Sequence, residues 1–498
     1  MKLRNILYAA LGLTLAGAVT SCLEDEGNYD YKELAAFYVD STNIQKSLLV
    51  TQFNTLHVSS DLVYEGDKSD LTYAWSIYQT TSNYYSTDNL ADTISTDADL
   101  SATITAKPGS YYLEYCATQK STGYRAFYRY NLTVESAVGT GLLVFYGKDG
   151  QADIDIVKTP VFMGAVTETT YSRTTYSRAN PDKALKGTPV ACCAIGDYIN
   201  LFTDQDGARV SADDMGRTLG FSELFWEAPS VCKPQAYVKS SDDILINDGQ
   251  AYATILAWGD PYFGAAKLLA DDDYEAAPCA VNCYGSGVFI YDQSKGRFLQ
   301  GTEWSSEVSV IPDAGLQNLS LNCLFMEQAY QGSASSKQLY AFMEEKDNTA
   351  QRYLYSIKQA YNASGVKLNK AYDLSACPQI ADALYFSVST LAPISFYATK
   401  DGLYRIAFDE TTGTASAEAS AWSSPAGEEI SYMRFFSDSG LDLDESPSYK
   451  YLLVATYSGT EGKVYVLKVD PVSGVVDSTP TAVFDGFGLV KDIKFKTK

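Results

Sequence analysis

Cys22 is the residue with the most sharply defined chemistry. It ends the tetrapeptide Val19-Thr20-Ser21-Cys22, behind a basic start at Lys2 and Arg4 and an apolar run from Ile6 to Val19. That run is shorter than the ~20 residues a bilayer-spanning helix needs, so residues 1–21 read as a cleaved export signal rather than a retained anchor. Small residues such as Thr20 and Ser21 suit a peptidase that cuts before a cysteine whose sulfur carries diacylglycerol. The mature chain is therefore expected to start at Cys22, held to a membrane by several acyl chains, which suffice for stable anchoring.

Other chemistries find little to work with. The chain has one histidine, His57, so a Ser-His-Asp or Cys-His relay would have to use it. Zincin-type and His-ligated oxygenase sites need several and are excluded. His57 lies in Phe53-Asn54-Thr55-Leu56-His57-Val58 and reads as a surface or edge residue of a strand. A glycosidase needs only two carboxylates, but no spacing among the acids singles out a pair, and no catalytic residue is assigned. Asp204-Gln205-Asp206-Gly207 echoes part of an EF-hand loop, yet Phe202 stands where the first carboxylate belongs. Asp271-Asp272-Asp273 and the group Asp438, Asp442, Asp444, Glu445 are looser still. Solvated turns account for all three, so no metal or other cofactor is predicted, with calcium bridging of a loop left open. No glycine-rich loop has phosphate-cradling spacing ahead of a helix.

Recognition remains. The stretch Trp258-Gly259-Asp260-Pro261-Tyr262-Phe263-Gly264 is loop-like and aromatic. Rings on loops stack on sugar faces or receive peptide side chains with little entropy cost, so Trp258, Tyr262 and Phe263 are the candidate ligand-binding residues. The alternative for these rings, and for Trp226, Trp304 and Trp422, is packing between sheets. Export permits disulfides, and Cys279 and Cys283 share one loop-like stretch in which they could close a small ring; otherwise the cysteines are small buried hydrophobes.

These residues must be positioned by strands. Tyr alone supplies 39 of 498 positions and Pro only 15, a balance that favours β structure. The formal charge of −23 argues against nucleic acid, whose phosphates need clustered Lys and Arg, and suits an exposed, soluble body. An acidic tether, 22–34, leads into a sandwich at 35–135, where Leu71, Tyr73, Trp75 and Ile77 share one strand face and Trp75 plugs the core. Tyr111 to Ala117 and Tyr124 to Val134 alternate likewise around a Gln119–Gly123 turn. After a linker at 136–141, residues 142–498 show apolar runs joined by Gly/Asp turns, with hairpins at Leu142–Val157, Ile394–Ile406 and Leu452–Val469. A motif of Asp, three residues and Gly recurs at Asp292–Gly296, Asp409–Gly413 and Asp470–Gly474, with a decayed copy at Gly365. Its spacing is near that of a four-stranded blade, so an all-β chain is expected: a sandwich followed by a β-propeller of about six to eight blades, seven favoured. Two further sandwiches fit the strand pattern as well. Short helical insertions are expected near Phe221–Phe225 and 379–384.

Pro108-Gly109-Ser110-Tyr111, Leu132-Thr133-Val134 and Tyr73-Ala74-Trp75 together resemble the signature of a PKD domain in a divergent form. The opening Cys22 to Lys32 and the stretches Pro181–Pro189, Phe202–Gly207, Ile244–Gly249 and Phe289–Asp292 are similar to the PKD-like lipoproteins of Bacteroidetes. Glu24, Asp25 and Glu26 resemble the surface-export signal of such lipoproteins; the alternative is a solvated tether on a periplasm-facing protein. The resemblance implies a non-catalytic lipoprotein on the outer face of the outer membrane, assisting uptake of an oligosaccharide or oligopeptide with a SusC/SusD-type importer. An adhesin or structural spacer, and a carboxylate-dependent surface hydrolase, are the alternatives; copurification with an importer separates the first of these, and turnover of glycan or peptide panels the second.

Overall fold

Strands make up nearly every element of the structure, a computed structural model. It describes residues 36–79, 91–164, 166–239, 242–256, 259–270, 272–283, 287–302, 304–330, 338–409, 412–437 and 446–497. Cys22, Glu24, Asp25, Glu26, Trp258, Asp271 and the group Asp438, Asp442, Asp444, Glu445 lie outside these residues. Two compact units are present. Residues 56–102 and 111–132, with the segment ending at Leu48, form one; residues 133–498, with the short segments 49–55 and 103–110, form the other.

The first unit is a sandwich. In its five-stranded sheet Leu71–Gln79 lies between Asp92–Ser95 and Gly109–Gln119, and the latter pairs with Arg125–Glu135. Alternation puts Leu71, Trp75 and Ile77 inward. Trp75 is fully buried, its ring 4.7 Å from Tyr115 and 6.0 Å from Tyr130. A buried indole N–H needs an acceptor, and Nε1 donates to the Asp97 carbonyl at 3.2 Å. His57 is exposed on Thr55–Val58, as its place in an alternating strand requires.

The second unit is a seven-bladed β-propeller. Blade 1 contains Gly141–Lys148, Gln151–Lys158 and Thr170–Ser172, and its fourth main strand is Leu489–Lys496 from the other end of the chain. Blade 2 runs from Pro189–Ile195 to Arg217–Gly220, blade 3 from Pro234–Lys239 to Gln250–Ala253, and blade 4 from Ala276–Cys283 to Glu307–Val310. Blade 5 runs from Leu321–Gln328 to Lys367–Asp373, blade 6 from Tyr385–Val388 to Thr414–Ser423, and blade 7 from Glu429–Phe435 to Ala482–Phe487. The first-named strand of blades 2 to 7, and Leu489–Lys496 in blade 1, are innermost. Each touches the innermost strand of its neighbours, and the ring closes.

The apolar runs of the sequence follow from this stacking, because a blade is covered on both faces. Ile154 and Ile156 pack on Ile199 and Leu201 between blades 1 and 2, and Val281 and Phe289 on Leu339 and Ile357 between blades 4 and 5. Leu453 and Val464 pack on Val144 and Ile493 between blades 7 and 1. Burial of each such side chain contributes roughly 1.5–3 kcal/mol. The recurring Asp-x-x-x-Gly motif is a turn at all three full copies: Gly296, Gly413 and Gly474 sit at φ +63°, +73° and +72°, and their N–H groups donate to the carbonyls of Asp292, Asp409 and Asp470. Asp side chains cap the same turns, as where Asp470 Oδ1 accepts from Val472 N and Ser473 N.

Two details differ from the sequence reading. Cys279 and Cys283 are not on a loop but four residues apart on the strand Ala276–Cys283, which at ~3.3 Å per residue separates them too far for a disulfide. Cys279 Sγ instead lies 3.6 Å from Cys323 Sγ on the innermost strand of blade 5, with both side chains buried. The α-helix Thr175–Ala179 was not expected from local sequence. Its first N–H groups are capped from a distance: Asp153 Oδ1 accepts from Tyr176 N at 3.1 Å and from Ser177 N at 3.3 Å. The helical insertions expected near 221 and 380 are single 3-10 turns, Phe221–Leu224 and Ile380–Asp382.

At the closure, Asp492 Oδ2 accepts the N–H of Cys192 in blade 2 at 2.9 Å. Asp492→Ala leaves that buried N–H without its acceptor and is expected to lower stability by about 1–3 kcal/mol, read by thermal or urea denaturation. Treatment with diamide, a two-electron thiol oxidant, is expected to join Cys279 to Cys323; peptide mapping that recovers Cys279 joined to Cys283 would contradict the strand placement.

Candidate functional site

Of the residues singled out for ligand binding, Trp258 is outside the described residues, and the structure separates the other two. Phe263 is fully buried, 5.2 Å from the Phe225 ring and 6.1 Å from Phe202. It is a wall ring between blades 2 and 3, not a surface contact. Tyr262 is partly exposed, and its ring centroid lies 5.0 Å from that of Trp226.

Trp226 is 70% exposed, an unusual position for so large an apolar ring, and it is held there. Its Nε1 donates to Asp260 Oδ2 at 2.8 Å, while Asp260 Oδ1 accepts from Tyr262 N at 3.0 Å. One carboxylate thus holds the Trp226 ring and the Tyr262 backbone. Beneath them the backbone is laced: Trp226 N donates to the Phe263 carbonyl and Phe263 N to the Leu224 carbonyl. Arg209 holds the far side, donating from one terminal nitrogen to the Pro261 carbonyl at 2.7 Å and from Nε to Asn200 Oδ1 at 3.0 Å. Its guanidinium lies over the rings of Tyr198, at 4.1 Å, and Tyr262, at 5.8 Å. The result is a preorganised aromatic platform.

The Asn200 side chain continues inward. Its Nδ2 donates to Tyr237 Oη at 3.1 Å, and Tyr237 donates to Asp243 Oδ2 at 2.7 Å. Asp243 is fully buried, its second oxygen without a partner among the described residues, and burial pushes its pKa up to about 6 against the hydrogen bond from Tyr237.

Tyr237 also lines the channel down the propeller axis, where two adjoining cavities of about 220 and 390 Å³ lie between the innermost strands. The charged side chains that line them are Lys239, Glu327, Arg434, Lys491, Asp492 and Lys494. Arg434 donates to Glu327 Oε1 at 2.8 Å and lies 4.4 Å over the Phe325 ring. Burial works against the Arg434 charge, yet Glu327 and its neighbours hold its pKa above the ordinary value. The Asp492 carboxylate, 3.5 Å from Lys494, likewise raises the lysine against burial and against nearby Arg434. Burial lowers Lys491.

The broken calcium-like loop has other work. Asp204 Oδ1 accepts from Thr188 N at 2.8 Å, and Asp206 Oδ1 from Gly207 N at 2.8 Å, both ordinary turn locks. Among the described residues no three His, Cys, Asp or Glu side chains converge as a metal site would.

The comparisons with known proteins bear on the first third of the chain and on the fold. Residues 22–184 match the PKD-like family. The sandwich is therefore PKD-like, and the propeller beyond it is matched through structure. A crystal structure of a quinonprotein alcohol dehydrogenase-like protein from Bacteroides thetaiotaomicron is similar at TM-score 0.53 and 13% identity, over 93% of this chain and 100% of that one. The β-propeller domain of Nup133 from Vanderwaltozyma polyspora matches at TM-score 0.38 and 12% identity, over 67% of this chain and 91% of that one. Hsv2 of Kluyveromyces lactis matches at TM-score 0.37 and 7% identity, over 69% and 95%. At 13% identity the likeness to the Bacteroides structure speaks to fold alone. No curated protein matches the sequence.

The sequence names Trp226 among the propeller tryptophans without singling it out for ligand binding, and the channel cations are not singled out at all. The partner that fixes Trp226, Asp260, is 34 positions away. For the channel the available signal was Lys491, Lys494 and Lys496 clustered on one strand of a strongly acidic chain.

Asp243 gives a pH prediction. Its folded pKa of about 6 exceeds the ordinary 3.8, so its contribution to stability is fully present below about pH 4 and is lost as pH rises through about 6. Asp243→Asn is expected to remove this dependence. The stability difference between wild type and variant should change by about 2 kcal/mol between pH 4 and pH 7, measured by urea denaturation at each pH.

Proposed function

We propose that the protein is a non-catalytic, lipid-anchored recognition protein on the outer face of the outer membrane, which assists capture of an extracellular oligosaccharide by a SusC/SusD-type importer. The observation that carries the recognition reading is the Trp226–Tyr262 pair, in which the exposed Trp226 ring is held by Asp260 Oδ2 and the Tyr262 backbone by Asp260 Oδ1. A ring fixed before binding loses little entropy on contact, and its face matches the apolar face of a pyranose. The anchor reading rests on Val19-Thr20-Ser21-Cys22, and the outward orientation on Glu24, Asp25 and Glu26. The non-catalytic reading is supported by a single histidine, exposed on a sandwich strand and without a nucleophile assigned to it. The importer association rests on the family resemblance of the opening segment.

The test has two arms. Metabolic labelling with a fatty-acid probe should mark the wild-type chain and not Cys22→Ala, and protease added to intact cells should degrade it. Calorimetric titration of the detergent-solubilised full chain against panels of neutral oligosaccharides and oligopeptides should give a saccharide ligand whose affinity falls about tenfold or more in Trp226→Ala. Binding of peptides alone, turnover of any panel member, or an unaffected variant would overturn this reading.

A further inference from the structure

The axial channel carries a charge opposite to that of the chain. The formal charge is −23, yet the two cavities are lined by four cations, Lys239, Arg434, Lys491 and Lys494, against two carboxylates, Glu327 and Asp492. Both carboxylates are also engaged by backbone donors. Asp492 accepts from Cys192 N at 2.9 Å and Ile493 N at 3.0 Å, and Glu327 from Val388 N at 2.9 Å. Arg434 and Lys494 come from blades 7 and 1, near enough for each to feel the other's charge. The repulsion between these like charges is offset by Glu327 and Asp492, and a bound anion would relieve it further.

A second observation narrows the ligand. Asn282, on the innermost strand of blade 4, is only 6% exposed and lines the larger cavity. Its Nδ2 donates to the Asp242 carbonyl at 3.1 Å, while its Oδ1 is buried without a donor among the described residues. A buried acceptor calls for an O–H or N–H group. Fully ionised sulfate offers neither, and a zwitterionic amino acid would bring its ammonium into a net-positive field. A carboxylate with hydroxyls beside it meets both demands. The aromatic faces of Tyr432, Phe435 and Tyr449 in the same cavity provide apolar wall for a sugar ring, and about 390 Å³ is room enough for one.

We propose that Arg434, Lys494, Lys239 and Asn282 form a binding site for a monomeric sugar acid, with its carboxylate toward the cations and a hydroxyl donating to Asn282 Oδ1. The site goes beyond the surface platform and uses none of its residues, so either can fail without the other.

The experiment is calorimetric titration of the detergent-solubilised full chain with galacturonate, galactose, inorganic sulfate and glycine. Galacturonate should bind, galactose should bind at least about tenfold more weakly, and added salt should weaken the galacturonate affinity. Lys494→Gln should cost about tenfold in galacturonate affinity, and Asn282→Ala several-fold with less discrimination against sulfate. Arg434→Gln breaks the Glu327 pair and can disturb the ring. Lys494→Gln therefore carries the decision, since Asp492 keeps its backbone donors, and a melting curve verifies its fold. Equal affinity for galactose, tighter binding of sulfate or glycine, an unaffected Lys494→Gln, or no heat with any ligand would overturn the proposal.

Discussion

The second unit depends on one strand pairing, that of Leu489–Lys496 with Gly141–Lys148. Here Leu142 faces Phe495 and Val144 faces Ile493 across an antiparallel ladder bulged at Phe145/Tyr146. A propeller is a stack of sheets whose faces are covered only by neighbours, so an open ring leaves two blades each with one bare apolar side. The pairing prevents that by making the first blade from both ends of the propeller sequence. Asp492 couples it to blade 2 through Cys192 N, and Lys496 donates to the Val138 carbonyl at 2.7 Å. The same strand also delivers Lys491 and Lys494 to the channel. Closure and two of the four channel cations thus come from a single eight-residue segment, Leu489–Lys496.

Much of the architecture was legible because it is written in short-range patterns. Two-residue alternation named the inward face of Leu71–Gln79, including Trp75, and the Asp-x-x-x-Gly turns fall where positive φ is required at glycine. Apolar runs between turns announced sheets covered on both sides, and blade-length spacing favoured seven blades. What local pattern could not say is which face meets which neighbour. Cys279 and Cys283 looked like a pair because they are close in sequence, but a strand carries them apart and brings Cys323 to Cys279 instead. The helix Thr175–Ala179 has Thr174 at its N-cap, but that side chain makes no capping bond, and the capping acceptor is Asp153, two elements earlier in the chain.

The candidate sites were less legible, for the same reason. Phe263 and Tyr262 are adjacent, so alternation alone sends one ring inward and the other outward; the sequence does not say which. Trp226 becomes a platform only through Asp260, and Arg434 becomes a channel cation only because the ring brings blade 7 beside blade 1. Both sites are made by tertiary proximity.

The end-to-end ladder also has a kinetic meaning. Gly141–Lys148 can form its hairpin with Gln151–Lys158 early, but its other edge stays unpaired until the strand more than three hundred residues later has been made. Such a high contact order predicts slow, late consolidation, with a sticky strand edge exposed in the interim. A chain built this way gains from having that edge shielded until the segment Leu489–Lys496 arrives.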